Sequence, residues 1–153
     1  MYAKIIFVCT GDTARGPMAE AIYQGLTDEN RIPAIARGTV VLFPEPMNPK
    51  AESVLEAHGL ALTSSVSQGL EAADFVQNTL VLAMSEQLAD HVRSQFPELI
   101  EEKQVTVDTI KAFNGETGDV IDPYGGTLID YEAYYTEMNR LIKKTIYRLE
   151  EEA

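Results

Sequence analysis

The chain contains one cysteine, Cys9, and an arginine, Arg15, follows it six positions later. The run Cys9-Thr10-Gly11-Asp12-Thr13-Ala14-Arg15 leads into Gly16-Pro17 and a helix-forming stretch, Met18-Ala19-Glu20-Ala21-Ile22-Tyr23. That arrangement suits the holding and attacking of a phosphoryl group. A short loop ahead of a helix start turns backbone N–H groups inward. The helix dipole adds positive potential, so the concavity favours an anion. A cysteine at its base is held as thiolate, its pKa brought from about 8.5 into the ~3.5–7.5 range. An arginine can fork onto two phosphoryl oxygens, and Gly11 and Gly16 permit close backbone approach. The same spacing also fits a buried structural cysteine beside a surface arginine, so the surrounding elements must decide.

Those elements alternate. Ile5-Ile6-Phe7-Val8 reads as a buried strand that ends at the cysteine. Pro17 opens a helix through Leu26. Ile35 to Arg37 forms a second strand, with Gly38 after it. Asn48-Pro49 caps a helix through Ala57, and Gly59 stops it. Thr79 to Met84 is a third strand. Ser85-Glu86 begins a helix towards Phe96, followed by Pro97. Val105 to Val107 is a fourth strand. Asp130 starts a long helix through Leu149, with apolar positions Tyr131, Tyr134, Tyr135, Met138, Leu141, Ile142 and Ile146 on one face. The pattern predicts an α/β fold, a single doubly wound domain over residues 1–153, with a parallel sheet covered by helices on both faces. Ligands in such folds bind at the carboxyl ends of strands, which is where Cys9 falls.

Composition narrows the function. Twelve basic against 24 acidic residues give a net charge of −12. A uniformly acidic surface disfavours nucleic acid. No segment reaches the ~18 apolar residues of a membrane span, so no membrane partner is expected. The apolar run at the N-terminus is too short for a signal-peptide core, and the expectation is a cytoplasmic protein. One cysteine excludes an intrachain disulfide. His58 and His91 stand apart without ligand spacing, so no metal is expected. At a helix end, His58 fits a dipole interaction better than catalysis. The oligomeric state is not legible.

Residues Phe7 to Ala21 resemble the signature of the low-molecular-weight protein tyrosine phosphatase family, V-C-x-G-N-x-C-R-S-P-M-A-E. Gly38-Thr39 matches the family's turn after the second strand, and Leu82-Ala83-Met84 its third strand. Asp122-Pro123-Tyr124-Gly125 matches its Asp-Pro loop. The resemblance implies a four-stranded parallel sheet and a cofactor-free, two-step reaction on a phosphorylated protein or peptide. Cys9 forms a phosphocysteine. Arg15 and the loop Thr10, Gly11, Asp12, Thr13 and Ala14 hold the phosphoryl oxygens. Asp122 is general acid, then base. Pro123 fixes the approach to that loop, and Thr13 and Tyr124 wall the pocket. Tyr124 suits phosphotyrosine; Thr13, where tyrosine-directed members carry an aliphatic residue, suits phosphoarginine. Three positions depart from the pattern: Asp12 for asparagine, Ala14 for a second cysteine, Gly16 for serine. The first sets a negative charge near the anion; the second removes a resolving thiol; the third removes a hydroxyl from the nucleophile and so raises its pKa. A weakened or non-catalytic phosphoryl-binding module of the same fold is the alternative. The missing second thiol also excludes a cysteine-relay arsenate reductase.

Overall fold

In the computed structural model, which describes residues 1–152, four strands pair in parallel in the order β2-β1-β3-β4. They are β1 (Lys4–Cys9), β2 (Ala34–Gly38), β3 (Thr79–Ala83) and β4 (Thr106–Thr109). Side chains of a strand alternate between faces. Ile5, Phe7 and Cys9 therefore join one core, with Met18, Ile22, Leu80, Leu82, Tyr134 and Leu141. Ile6 and Val8 join the other, with Phe75, Val81, Val92 and Val105. A strand buried on both faces must be apolar without alternation, which is why Ile5 to Val8 form an unbroken run.

The chain leaves β1 through α1 (Arg15–Leu26) to β2, then returns across β1 to reach β3. Strand order thus reverses between β1 and β3. A crevice opens there at the strands' carboxyl ends, and the loop after Cys9 occupies it. α2 (Pro49–Ala57) and α6 (Leu128–Glu151) pack with α1 on one face. α3 (Glu86–Gln95) and α4 (Pro97–Glu102) cover the other, through Val92, Leu99 and Ile100.

Local chemistry sets most boundaries. Asn48 accepts from the Lys50 N–H at 2.9 Å and caps α2, and Gly59 at φ 75° ends it. Ser85 accepts from the Leu88 N–H at 3.2 Å and caps α3. Some boundaries differ from the sequence reading. α1 begins at Arg15, two residues ahead of Pro17; the proline sits in the first turn, where no intrahelical N–H bond is required. α6 begins at Leu128 because Thr127 and Asp130 form a reciprocal capping box, so Asp130 lies inside the first turn. Pro97 starts α4 rather than merely following α3. β4 is displaced to Thr106–Thr109, where Leu80 pairs with Thr106, and the short α5 (Ile110–Phe113) follows it directly.

One glycine is fixed by contact. Gly38 ends β2 against the loop after β1: a Cβ there would sit 2.7 Å from the Thr10 carbonyl oxygen and 3.1 Å from the Asp12 nitrogen. Both are backbone atoms with little room to yield. Gly38→Ala is expected to destabilise the fold by roughly 1–3 kcal/mol, in the range of overpacking, and to displace Thr10. Thermal denaturation, with the amide signals of residues 9–16 followed by NMR on the same variant, checks this; an unchanged Tm with unmoved signals would show that the loop yields freely.

Candidate active site

The loop from Cys9 to Arg15 is held from outside by its carbonyls. The Thr39 N–H donates to the Cys9 carbonyl at 3.1 Å, the Val40 N–H to Thr10 at 2.9 Å, and the Asn48 N–H to Thr13 at 2.9 Å. The Met18 N–H reaches the Ala14 carbonyl at 2.8 Å, and the Tyr134 hydroxyl the Arg15 carbonyl at 2.6 Å. Asp12 takes the left-handed conformation, φ 57°, which aspartate tolerates. Its Oδ2 accepts from the Gln68 N–H at 2.8 Å. The backbone N–H groups of Asp12 and Gly16 are left to point at the Cys9 sulfur.

The hollow so formed is a cavity of about 340 Å³. The whole run from Cys9 to Arg15 lines it, and Asp122, Pro123 and Tyr124 stand across it. The structure therefore brings the loop from Cys9 to Arg15 together with Asp122, Pro123 and Tyr124. Arg15 Nε lies 3.6 Å from Asp122 Oδ1, which places guanidinium and carboxylate over the same point. Tyr124 is exposed at the mouth, its ring free to meet a substrate. Such a site can hold a tetrahedral oxyanion on backbone N–H groups and Arg15, with a sulfur below and a carboxyl group above.

Four further residues complete it. Glu45 lines the cavity, its backbone tied to Ser67 by two bonds, the Glu45 N–H to Ser67 Oγ at 2.9 Å and the Ser67 N–H to the Glu45 carbonyl at 2.8 Å. Asn48, the cap of α2, also donates through Nδ2 to the Tyr131 hydroxyl at 3.0 Å, and both line the cavity. Tyr134 is fully buried beneath Arg15. No motif marks these roles, because Tyr134 and Asn48 act on residues 119 and 83 positions away. The histidines lie elsewhere. The His58 ring stacks on Tyr135 at 3.8 Å and contacts Glu132, joining α2 to α6. His91 is exposed on α3.

The electrostatics correct one expectation. Cys9 is not held as thiolate in the open loop: burial pushes its thiol up to about 11, and the neighbouring Asp12 carboxylate adds to the rise. The Gly16 N–H, Arg15 and the Asp12 N–H oppose this without reversing it. Asp12 itself is pushed up to about 7 by burial, against the Gln68 hydrogen bond and Arg37. Tyr134 is raised well above the usual phenol range by burial and by Cys9, which keeps its hydroxyl a donor to Arg15.

The sheet order, the anion-shaped loop at its switch point and the carboxyl across it define a phosphatase of the cysteine-loop kind. Comparison with known proteins agrees. Residues 4–153 match the family model described as low molecular weight phosphotyrosine protein phosphatase. The chain is 34% identical over 154 residues to a protein-arginine-phosphatase of Bacillus subtilis, covering 97% of each chain. It is 34% identical over 141 residues to the low molecular weight protein-tyrosine-phosphatase PtpB of Staphylococcus aureus, covering 92% of this chain and 95% of that one. The crystal structure of a low molecular weight protein tyrosine phosphatase from T. tengcongensis superposes with a TM-score of 0.84 at 34% identity, over 95% of this chain and 98% of that one. The chain belongs to the low molecular weight protein tyrosine phosphatase family, and with it is a hydrolase.

Ala14 leaves Cys9 without a second thiol anywhere in the chain. A sulfenic acid on Cys9 has no second thiol in the chain to condense with and advances to sulfinic acid under continued oxidant. Prolonged peroxide treatment is expected to inactivate the enzyme in a form that a dithiol does not restore. Full recovery of turnover, with no sulfinic mass on the Cys9 peptide, would show protection by another route.

Proposed function

We propose that this phosphatase removes the phosphoryl group from phosphoarginine in proteins, through a phosphocysteine intermediate. Cys9, having lost its proton, attacks phosphorus. The bond from phosphorus to the leaving nitrogen breaks, and Asp122 delivers a proton to that nitrogen. Water then attacks the phosphocysteine and Asp122 takes its proton. The S–P bond breaks, and inorganic phosphate leaves with Cys9 restored. Arg15 and the loop N–H groups carry the charge of the transferring oxygens in both steps. Tyr134 and Asn48 hold the loop for them.

The observation that carries the choice of substrate is Thr13 in the cavity wall. Its hydroxyl can bond a guanidino nitrogen beside phosphorus, whereas a phenol ring offers only carbon there. A site offering that bond discriminates against a substrate that leaves it unpaired. Asp122 and Glu45 line the same cavity, and an acidic lining suits a guanidino group. The Bacillus subtilis relative, named a protein-arginine-phosphatase, supports the reading. The exposed Tyr124 favours a second reading, phosphotyrosine, by stacking on a flat ring.

Three experiments test these statements. Wild type is expected to prefer a phosphoarginine protein over a phosphotyrosine peptide. Thr13→Ile is expected to move the kcat/KM ratio towards phosphotyrosine by ~10-fold or more, about 1.4 kcal/mol. A wild type that prefers phosphotyrosine, or a ratio unmoved by the substitution, refutes the substrate choice. Asp122→Asn is expected to cut kcat by ~10²–10⁴-fold on poor leaving groups and far less on activated aryl phosphates. An equal loss on both classes removes Asp122 as the acid. Cys9→Ser should be inactive with its fold intact.

A further inference from the structure

Asp12 is the loop residue whose charge works against the loop. It is 2% exposed, yet only one carboxylate oxygen has a partner. The Gln68 N–H serves Oδ2, and Oδ1 is buried with none. A buried anion with one oxygen unmet is costly, and adding a proton removes the charge. The surrounding groups do not offset it. On α1, Glu20 repels it. On β2, Arg37 attracts it, but that guanidinium is tied to Asp74 at 3.2 Å and to the Ala36 carbonyl at 2.8 Å. Thr63 gives its hydroxyl to Glu20. On the cavity side stand Cys9 and Arg15, with Glu45 and Asp122 across from them. Asp12 also lines a second cavity of about 240 Å³ behind the loop, shared with Glu20, Arg37 and Thr63. A proton has a way to Asp12 from that side, past no bound anion.

An oxyanion seated on the loop N–H groups brings further negative charge towards this carboxylate. At short range and reduced dielectric, each such pair of like charges weakens binding by roughly 10-fold or more. We propose that Asp12 is a positioning residue that takes up one proton when the loop binds a dianion, so that tight oxyanion binding requires the neutral carboxyl. This rests on the reading of the loop as the phosphoryl seat. The neutral group still accepts from Gln68, so the brace survives while the repulsion goes. Asparagine, the family's usual residue here, is neutral at every pH. Burial already pushes the Asp12 carboxyl up to about 7 in the open loop, so the proton is available near neutrality. The same proton helps Cys9, because the ionised Asp12 is one of the groups that raise its thiol. The sign follows from linkage. Below about pH 7 the carboxyl is already neutral and affinity is independent of pH. Above it, binding must take a proton from solvent, and affinity falls by up to ~10-fold per pH unit.

Sulfate is the probe, because it stays a dianion across pH 5.5–8.5. Cys9→Ser is the background, because no thiol then titrates. Calorimetry is expected to show sulfate binding weakened by ~10-fold or more between pH 6 and 8.5, with proton uptake read from its dependence on buffer ionisation heat. Cys9→Ser with Asp12→Asn should bind tightly throughout, its Kd varying less than about 2-fold, with no uptake. Equal pH slopes in the two proteins overturn the proposal. The unsubstituted chain gives an answer that does not depend on the variant folding. The Asp12 side-chain carbon, followed by ¹³C NMR, should titrate near neutrality and move upward with sulfate. A carboxyl that titrates near 4 with and without sulfate overturns the proposal as well. If sulfate leaves the amide signals of residues 9–16 unmoved, the phosphoryl-seat reading fails and takes this one with it. Binding with a flat pH profile refutes Asp12 alone.

Discussion

Five outward hydrogen bonds make the site. A trans peptide unit points its C=O and its N–H in opposite directions. Tying the carbonyls of Cys9, Thr10, Thr13, Ala14 and Arg15 to the outside therefore turns the N–H groups of Thr10, Gly11, Ala14, Arg15 and Gly16 away from those ties, into the hollow. The donors come from the residues just after β2, the residue before α2, the first turn of α1 and the second turn of α6. An anion-binding loop of seven residues thus needs most of the chain to hold it. Gly38 shows how closely the parts fit, with no room for a Cβ beside the Thr10 carbonyl and the Asp12 nitrogen. Tyr134 is buried for the same reason. Its hydroxyl must reach a backbone carbonyl beneath Arg15, and a buried phenol without a partner is costly.

The charge on the protein and the charge at the site have opposite demands. A net charge of −12 repels phosphate at long range, but salt screens charges beyond about 8–10 Å. Inside that distance the inward N–H groups and Arg15, the one basic residue lining the cavity, govern. The rim differs from the floor. Its lining includes two acidic residues, Glu45 and Asp122. A phosphoryl group attached to a guanidino group is negative at one end and able to donate hydrogen bonds at the other. On the proposed phosphoarginine reading, that polarity matches N–H groups at the floor and an acidic lining at the rim. A phosphorylated phenol has the negative end alone, and gains its rim contact from Tyr124 instead.

Much of this was legible in the chain. The unbroken run Ile5 to Val8, ending at a cysteine with glycine and arginine close behind, located the floor of the site. The Asp-Pro-Tyr-Gly turn located its roof. Strands and helices were readable because apolar periodicity and caps such as Asn48 and Ser85 are local signals. The missed parts depend on distance. In the sequence Tyr134 is one more apolar position of α6; only the fold brings its hydroxyl under Arg15. Glu45 lies in a stretch without periodicity, and its backbone pairing with Ser67, 22 positions on, is not a local signal. The thiolate expectation failed for a related reason. A helix start and an arginine were visible in sequence, but the depth of burial of Cys9 and the enclosure of Asp12 beside it were not.

The three departures from the family pattern converge on one atom, the Cys9 sulfur, and leave Arg15 and Asp122 untouched. Asp12 adds a charge that disfavours the thiolate. Ala14 removes the thiol that would rescue an oxidised sulfur. Gly16 keeps its N–H on the sulfur but carries no side chain, and a Cβ built there falls 3.2 Å from Sγ, 3.4 Å from the Phe7 carbonyl oxygen and 3.5 Å from the Ala36 Cβ. A serine at that position would have to press on the sulfur before its hydroxyl could bond it. Restoring the serine alone therefore adds strain together with a donor, and the balance depends on whether the sulfur beside Asp12 is charged. Groups that share one partner at such distances do not act additively. The loop is thus tuned as a unit: an ionised Asp12 raises the cost of the thiolate, while the open Gly16 keeps the sulfur unstrained and leaves it a backbone donor.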